Sequence, residues 1–235
     1  MTPATTPGDL LVGRLRTDPG GPLLTFYDDA TGERTELSAA TFANWVAKSA
    51  NLLADELGVG PGDRVALRLP AHWQTVVALH AIWRVGALAG TGELPAADVL
   101  VCDEQSLPCL PATCPVAAFS LRPLGAGLAR PLPGVVDAAA EVAAQPDVCP
   151  LPPPPGDAPA LVTAGGPTLS QAALVTSAPA SAGRVMLVAD RWDTTELLLA
   201  AAVSPLTRGS VVVCRHADPA RLERRRREER AQDGP

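Results

Sequence analysis

The sequence has 235 residues, of which 47% are hydrophobic and 3% aromatic, with 25 Pro and 20 Gly. This length and composition are typical of one large or two small globular domains. The net charge of −6 at pH 7 disfavours a nucleic-acid-binding protein, because such binding depends on a basic surface. No apolar run is long enough to span a bilayer, and the N terminus does not resemble a signal peptide. We therefore expect a cytoplasmic protein without a membrane partner.

Two residue types limit the chemistry of the chain. Lys48 is the only lysine, so a mechanism that needs a catalytic or phosphate-binding lysine has one candidate. The five cysteines are odd in number and form no Cys-x-x-Cys pair, which predicts reduced, mostly buried thiols. Because the Cys and His residues do not cluster at ligand spacing, we predict no metal site.

The first sixty residues predict a terminal segment, a hairpin and a helix. Residues 1–22 are interpreted as a flexible N terminus. Two short alternating runs around Gly32 predict a β-hairpin. Ser38 is the predicted N-cap of a helix whose apolar residues recur at helical spacing, and Gly58 is its predicted end.

The rest of the chain alternates predicted strands with predicted helices. Strands are predicted at 63–70, 87–90, 98–102, 116–121, 159–163, 184–190 and 209–214. Helices are predicted at 72–85, 135–145, 194–206 and 218–232, with a further helix from about Ser170. Residues 121–135 read as a loop, and residues 150–157 as a stiff Pro-rich connector. This order favours an α/β fold with a largely parallel sheet flanked by helices.

Three segments in sequential order carry a resemblance to a known family. They are "TELSAATFANWVAKSANLLADELGVGPGDRVALRLP", "HAIWRVGALAG" and "RVMLVADRWDTTELLLAAAVSPLTRGSVVVC". They resemble the N-terminal part of adenylate-forming enzymes, the acyl-CoA synthetase and AMP-binding superfamily, in a short stand-alone branch. The resemblance covers residues 23–220, apart from a poorly matching stretch at about 105–155. Residues 221–235 are then a charged C-terminal helix or tail.

The stretch "ALVTAGGPTLSQAALV", residues 160–175, falls where this family carries its phosphate loop. In such loops, glycines let backbone N–H groups approach phosphate oxygens, hydroxyls add hydrogen bonds, and a lysine offsets negative charge. Here the loop is shorter and the lysine is absent, so it resembles an eroded phosphate loop. The residues that the resemblance assigns to a residual cofactor-binding loop are Thr163, Gly165, Gly166, Thr168 and Ser170.

A strand-to-helix turn that keeps glycines for backbone geometry is the structural alternative for this stretch. The helix that follows would still offer free N–H groups and the positive end of its dipole to an anion at the turn. Weak anion or nucleotide binding is therefore compatible with both interpretations.

The family's later motifs, including its adenine- and ribose-binding residues and its catalytic lysine, have no counterpart in this sequence. The resemblance therefore assigns no catalytic residue and no metal ligand. It implies a non-catalytic relative that binds a small ligand or a protein. The alternative is a minimal acyl-adenylate-forming enzyme that uses ATP or AMP with magnesium and is completed by a partner chain. We also expect a homo- or hetero-oligomer that buries the face left by the missing subdomain.

Other features of the sequence are interpreted as structural. His80, Trp73 and Trp83 lie on an apolar helix and are predicted to pack in a core. The arginines of "RLERRRREER" alternate with glutamates, which favours an ion-paired exposed helix over an RNA-binding one. Trp192 follows a strand end, where α/β proteins place binding sites, and is near the family's acyl pocket. We interpret it as structural first.

Overall fold

The structure is a computed structural model, and it describes residues 6–91, 94, 96–107, 113–181 and 183–235. The chain forms two compact units, where the sequence predicted one domain over residues 23–220. Unit 1 combines Met1–Ala43, Pro70–Val76 and Ala172–Pro235. Unit 2 combines Asn44–Leu69 and Val77–Gln171. Each unit has its own, largely parallel β-sheet.

Helices and strands alternate along much of the chain. The α-helices are α1 (Pro7–Thr17), α2 (Ala39–Asn51), α3 (Trp73–Arg84), α4 (Ala138–Ala144), α5 (Gln171–Ser177), α6 (Thr195–Ala202), α7 (Ser204–Thr207) and α8 (Pro219–Glu229). The strands are β1 (Pro22–Asp28), β2 (Glu33–Ser38), β3 (Arg64–Arg68), β4 (Leu88–Gly90), β5 (Val99–Asp103), β6 (Val116–Phe119), β7 (Val135–Asp137), β8 (Pro159–Val162), β9 (Leu169–Ser170), β10 (Arg184–Val188), β11 (Ser210–Arg215) and β12 (Gln232–Asp233).

The sheet of unit 1 has the strand order β12-β10-β11-β1-β2. Its neighbours pair in parallel except β1 and β2, which form the hairpin that the sequence predicted around Gly32. Gly32 has a φ of +75°, a conformation that suits glycine in a tight turn. The sheet core includes Phe26 of β1 and Val212 and Val213 of β11, each with no exposed surface.

Helix α8 packs on the sheet of unit 1 through an ion pair at its centre. The Arg225 guanidinium donates to both carboxylate oxygens of Asp29, at 3.2 and 2.7 Å. It also lies 4.1 Å from the centre of the Tyr27 ring, within cation–π range. On the exposed side, Glu223 pairs with Arg226 and Arg227, which confirms the predicted charge pairing along this helix. Residues 221–235 thus belong to unit 1, and β12 adds a strand to its sheet.

The sheet of unit 2 has the strand order β7-β6-β5-β3-β4-β8-β9. Only β8 and β9 pair antiparallel, and all other neighbours are parallel. Parallel strands of this kind are buried on both faces, and accordingly β5 and β6 read as apolar runs. The predicted fold class, α/β with a largely parallel sheet flanked by helices, is confirmed.

Several local predictions are confirmed, and some short elements were not foreseen. The Thr41 N–H donates to Ser38 Oγ at 3.1 Å, so Ser38 caps α2 as predicted. The helix continues as a π-helical turn over Leu52–Glu56 before Gly58. Helix α1 lies within the segment predicted to be flexible, and a Thr6–Asp9 capping box closes its first turn. The strands β7, β9 and β12 leave no signal in the sequence, because strands of two or three residues have no measurable periodicity.

The predicted core residues are buried. Trp73 and Trp83 are each 2% exposed, and His80 is 3% exposed with its ring edge-on to Trp83 at 4.9 Å. Cys102 and Cys214 are buried free thiols, and Cys114 and Cys149 are half-buried free thiols. Cys109, the fifth cysteine, lies outside the described residues. Of the helices that the structure describes, none has both the length and the apolar character required to cross a membrane.

Candidate functional site

The predicted loop connects the two strands of a short hairpin in unit 2. Thr163 follows the last residue of β8 directly, and the chain returns through Thr168 into β9. The Gly166 N–H donates to the Thr163 carbonyl at 3.0 Å, which closes a tight turn around Ala164 and Gly165. Gly165, Pro167 and Thr168 are exposed, so the backbone of this turn is open to a ligand.

Both glycines of the turn have a physical reason for being glycine. Gly165 has a φ of +68°, a left-handed conformation that costs a side-chain-bearing residue about 1–2 kcal/mol. At Gly166, a Cβ atom would lie 2.6 Å from the Thr163 hydroxyl oxygen. The glycines are thus explained by the turn itself, and they also place no side chain over its backbone.

The hairpin separates the predicted site residues into two groups. Thr163, Gly165 and Gly166 share the turn, whereas Ser170 pairs with Pro159 at the opposite end of β8. Four strand residues separate those two levels, a distance of about 13 Å. Helix α5 begins beyond Ser170, and its first N–H, that of Gln171, donates to the Ala158 carbonyl. The expectation that this helix presents its N terminus to the glycine turn is therefore wrong.

Two buried side chains hold β8 in place beneath the turn. Trp83 of α3 donates its indole N–H to the Ala160 carbonyl at 2.9 Å. The Gln171 side-chain amide donates to the Trp83 carbonyl at 3.1 Å. Gln171 is 1% exposed, and as the first residue of α5 it connects the start of that helix to α3.

The segment around the turn carries no charge of its own. Residues 158–183 contain no Asp, Glu, Lys, Arg or His. The single lysine is placed elsewhere in unit 2: Lys48 Nζ donates to the carbonyls of Ala143 and Gln145 at the end of α4, and pairs with Asp147 at 3.2 Å. Lys48 therefore caps a helix, and its ammonium is committed to that role.

One cation of unit 2 reaches the same edge of the sheet. Arg68 is the last residue of β3, two positions beyond Ala66. Ala66 is level with Gly90 of β4, which is level with Val162 at the end of β8. Because these strands are parallel, Arg68 and the turn after Val162 lie at one carboxyl edge, the edge where α/β sheets bind ligands. In the sequence, Arg68 lies within the strand predicted at 63–70, and its signal for a site is a charged residue near the end of a buried strand.

The hydrogen-bonding groups of the turn at this edge suit a phosphate better than a metal ion. Backbone amides and hydroxyls of the turn can donate to phosphate oxygens. Magnesium is bound in proteins through carboxylates, and the segment 158–183 supplies none. Across the described residues, no group of three or more His, Cys, Asp or Glu side chains is arranged to hold a metal ion.

The sequence comparisons identify the family of the chain. A Mycobacterium tuberculosis protein named "TIGR03089 family protein" is 40% identical over 238 residues, which cover 95% of this chain and 95% of that protein. The chain belongs to this family. Residues 14–91 also match the model of the AMP-binding enzyme family, described as "AMP-binding enzyme".

Solved structures place this TIGR03089 family member on the fold of acyl-CoA synthetases. A Brucella canis acyl-CoA synthetase matches 97% of the chain with a TM-score of 0.78 at 18% identity. The N-terminal domain of FACL13 from Mycobacterium tuberculosis matches 98% with a TM-score of 0.74 at 17% identity. The chain spans 46% of the Brucella synthetase, about half its length, and 62% of the FACL13 chain. The resemblance to the N-terminal part of acyl-CoA synthetases is thereby confirmed at the level of fold.

In unit 1 of this family member, a second polar cluster lies at the carboxyl edge of the sheet. His216 Nδ1 lies 2.9 Å from Asp28 Oδ1, and the His216 N–H donates to Asp190 Oδ1. Asp28 is 4% exposed and also faces Arg215 at 3.7 Å. His216 has a φ of +46° and an exposed ring. These bonds hold the chain reversal after β11, and we interpret the pair as structural.

A buried histidine and glutamate lie deeper in unit 1. His72 Nδ1 accepts the Gln74 N–H, so the ring proton is on Nε2, which faces Glu33 at 3.6 Å. Burial lowers the pKa of His72, and Glu33 offsets this only in part. Burial alone would raise the pKa of Glu33, but its contacts with His72, Thr35 and Trp73 outweigh burial and lower it. With His72 1% exposed, neither group can reach a substrate from this position.

Trp192, which the sequence placed near the family's acyl pocket, lies just after β10 in unit 1. Its Nε1 is buried and has no hydrogen-bond partner within the described part of the chain. The indole therefore contributes apolar packing rather than a polar contact. Its interpretation as a structural residue stays a prediction.

Proposed function

We propose that the chain is a non-catalytic relative of acyl-CoA synthetases that functions in the cytoplasm by binding a ligand at the turn Thr163–Gly166. The observation that carries this proposal is that the turn keeps the backbone geometry of a phosphate loop, whereas the chain's lysine lies at a different place in the fold. The turn keeps the positive-φ glycine of an anion-binding loop, and its residues Ala164 and Gly165 are exposed. The one lysine of the chain, in contrast, caps α4. Ligand binding requires the backbone hydrogen-bond donors of the turn. Adenylate formation requires in addition a positive charge that stabilises the negative charge developing in the transition state.

Free thiols support the proposed location. Cys102, Cys114, Cys149 and Cys214 are all unpaired. Such cysteines are usual in reducing compartments, where disulfides do not persist. Burial raises the pKa of Cys102 to about 12, so this thiol is an unreactive core residue.

The alternative function is a nucleotide-dependent enzyme completed by a partner chain. It is supported by the exposure of the turn, which a second protein could cover with the missing charges. The chain matches 46% of the length of the Brucella canis synthetase, and the surface proposed for a partner is the face that corresponds to where such a synthetase continues. We propose a homo- or hetero-oligomer through that surface.

Calorimetric titration combined with pyrophosphate exchange tests the two functions. For a binding protein, AMP or magnesium ATP binds saturably, and no carboxylic acid in a panel stimulates exchange of pyrophosphate into ATP. Exchange by the purified chain would refute the non-catalytic proposal. Exchange that occurs only after a partner is added would establish the alternative.

A pair of glycine variants locates the binding site. Gly165→Ala places a side chain at a φ of +68°, and Gly134→Ala places one at a φ of +74°. In neither case does a Cβ meet an atom within 4 Å, so the two substitutions carry similar backbone strain. We expect only Gly165→Ala to weaken nucleotide binding. Equal binding by both variants would remove the turn from the site.

Light scattering on the purified chain tests the proposed oligomer. Among the described residues, the large hydrophobic side chains that are exposed are Val12, Leu132, Val148 and Val188. A partner surface is expected to include some of them. A monomeric mass at micromolar protein, with no dimer when the sample is concentrated further, would reject self-association. A complex with a different protein would then be the remaining form of the proposal.

A further inference from the structure

Within the described part of the chain, Arg68 is a cation without a partner at the carboxyl edge of the unit 2 sheet. Its Nη1 is buried and makes no hydrogen bond, and no described carboxylate forms an ion pair with the side chain. A buried donor left unpaired costs about 1–3 kcal/mol. Buried Nε atoms of other arginines, including Arg64, also lack a hydrogen-bond partner, so Arg68 is distinguished by an unpaired terminal Nη1 at the carboxyl edge of this sheet. An arginine donor is satisfied best by an oxyanion, which its fork of N–H groups fits.

The strand register places this cation opposite the turn. Ala66, Gly90 and Val162 are level across β3, β4 and β8, and Arg68 lies two residues further along β3. One strand separates β3 from β8, so their backbones are roughly 10 Å apart. A phosphate bound on the turn amides therefore lies within the reach of an extended arginine side chain from Arg68.

We propose that Arg68 supplies the positive charge that the segment 158–183 lacks, and that its guanidinium contacts the anionic group of a ligand held by the turn. The turn Thr163–Gly166 then contributes backbone donors, and Arg68 contributes a charge-assisted hydrogen bond from the neighbouring strands. This inference rests on the proposed binding function, because it names a further residue of that same site.

Among the residues that the structure describes, the acidic residues nearest in register form no ion pair with Arg68. Asp103 follows Cys102, the residue level with Arg68 on β5. Its two carboxylate oxygens accept from the Ser106 N–H and hydroxyl, at 2.9 and 2.7 Å. Glu104 accepts from the Ala129 N–H at 2.9 Å. Both carboxylates are thus held by the loops that follow β5 and β6, away from an ion pair with Arg68.

The experiment is a titration of the full chain with inorganic phosphate, AMP and adenosine. The variants are Arg68→Gln and Arg68→Lys, with Arg64→Gln as the matched control. Arg64 is also a half-buried arginine of β3, but it lies at the opposite end of the strand. Thermal unfolding of each variant checks that the fold is retained.

We expect Arg68→Gln to weaken AMP and phosphate binding by about tenfold or more, the loss of one charged hydrogen bond. Arg68→Lys should restore part of that loss, and Arg64→Gln should bind as the unsubstituted chain does. Added salt should weaken binding by the unsubstituted chain more than binding by Arg68→Gln.

Three outcomes would overturn the role of Arg68. The first is that Gly165→Ala weakens AMP binding while Arg68→Gln leaves it unchanged. The second is that Arg64→Gln loses as much AMP affinity as Arg68→Gln. The third is that adenosine binds as tightly as AMP. In each of them the proposed binding function survives. Absence of any phosphate binding would also overturn the inference, and the proposed function would then require a ligand without phosphate. Pyrophosphate exchange, in contrast, would refute the proposed function while leaving Arg68 as a phosphate contact.

Discussion

Trp83 of α3 and Ala160 of β8 are joined by a buried hydrogen bond of 2.9 Å from the indole N–H to the backbone carbonyl. The two residues are 77 positions apart in the chain, and the bond ties the helix to the strand that carries the candidate turn. Trp83 is 2% exposed, so no solvent replaces the donor if it is removed. The position of the turn therefore depends on a residue outside it.

Replacing Trp83 with Phe should lower the free energy of unfolding by about 1–3 kcal/mol, because a buried carbonyl loses its donor. Urea unfolding followed by circular dichroism measures this. Trp192→Phe is the control, since the Trp192 Nε1 has no partner among the described residues and its loss should cost less. Equal costs for the two variants would show that ring volume, and not the hydrogen bond, determines the effect.

The buried His72 should make the protein sensitive to mild acid. Its folded-state pKa lies below the ordinary value of 6.5, because burial, together with the Arg215 charge, disfavours the charged ring more than Glu33 and Asp28 favour it. As the pH falls through 6.5, the unfolded chain takes up a proton first, and the free energy of unfolding therefore decreases. Glu33, whose folded-state pKa lies below 4.5, adds a further loss at lower pH.

His72→Asn tests this dependence, because the Asn oxygen can still accept the Gln74 N–H while the titrating ring is gone. Between pH 7.5 and 5.5, the free energy of unfolding should depend less on pH in the variant than in the unsubstituted chain. Identical slopes would show that His72 does not titrate differently in the folded and unfolded states.

Lys48 should matter for stability and not for ligand binding. Its ammonium holds two carbonyls at the end of α4 and the Asp147 carboxylate, so Lys48→Met should lower the free energy of unfolding by about 0.5–2 kcal/mol. Lys48→Arg should recover most of the loss. Calorimetry with AMP should give the same affinity for Lys48→Met as for the unsubstituted chain; a loss of affinity there would assign the lysine to the site.

Gly209 should be the glycine least tolerant of substitution in unit 1. Its φ is +115°, and an added Cβ would lie 1.8 Å from the Gly183 carbonyl oxygen, which accepts the Ser210 N–H at the start of β11. Gly209→Ala should cost more than about 3 kcal/mol, enough to prevent folding of a marginal protein.

Gly32→Ala is the matched comparison for Gly209. Gly32 also has a positive φ, of +75°, but no atom lies within 4 Å of its added Cβ. Its cost should be about 1 kcal/mol, from backbone strain alone. Thermal unfolding of both variants separates strain from collision, and similar melting temperatures would show that the collision at Gly209 adds nothing to the strain.

Much of the fold follows from local patterns in the sequence. The run "DRVALRLP" and the apolar helix after it, the cap at Ser38 and the turn at Gly32 all depend on side chains a few positions apart. Those interactions form within a single element, so periodicity and turn chemistry reveal them. The glycines and hydroxyls of the candidate turn also lie along one short stretch, and its interpretation as a phosphate loop comes from the resemblance to the family.

The candidate site as a whole depends on pairings that no local pattern contains. The division into two sheets, the commitment of Lys48 to carbonyls 95 and 97 residues away, and the placement of Arg68 near the level of the turn arise from strand order and register. The return strand β9, which moves the start of α5 away from the turn, is two residues long and exists only because β8 pairs with it. The sequence by itself determined the longer helices and strands and the turn, because these depend on residues a few positions apart. Packing between distant segments decided the short strands, the role of Lys48 and the level of Arg68 relative to the turn.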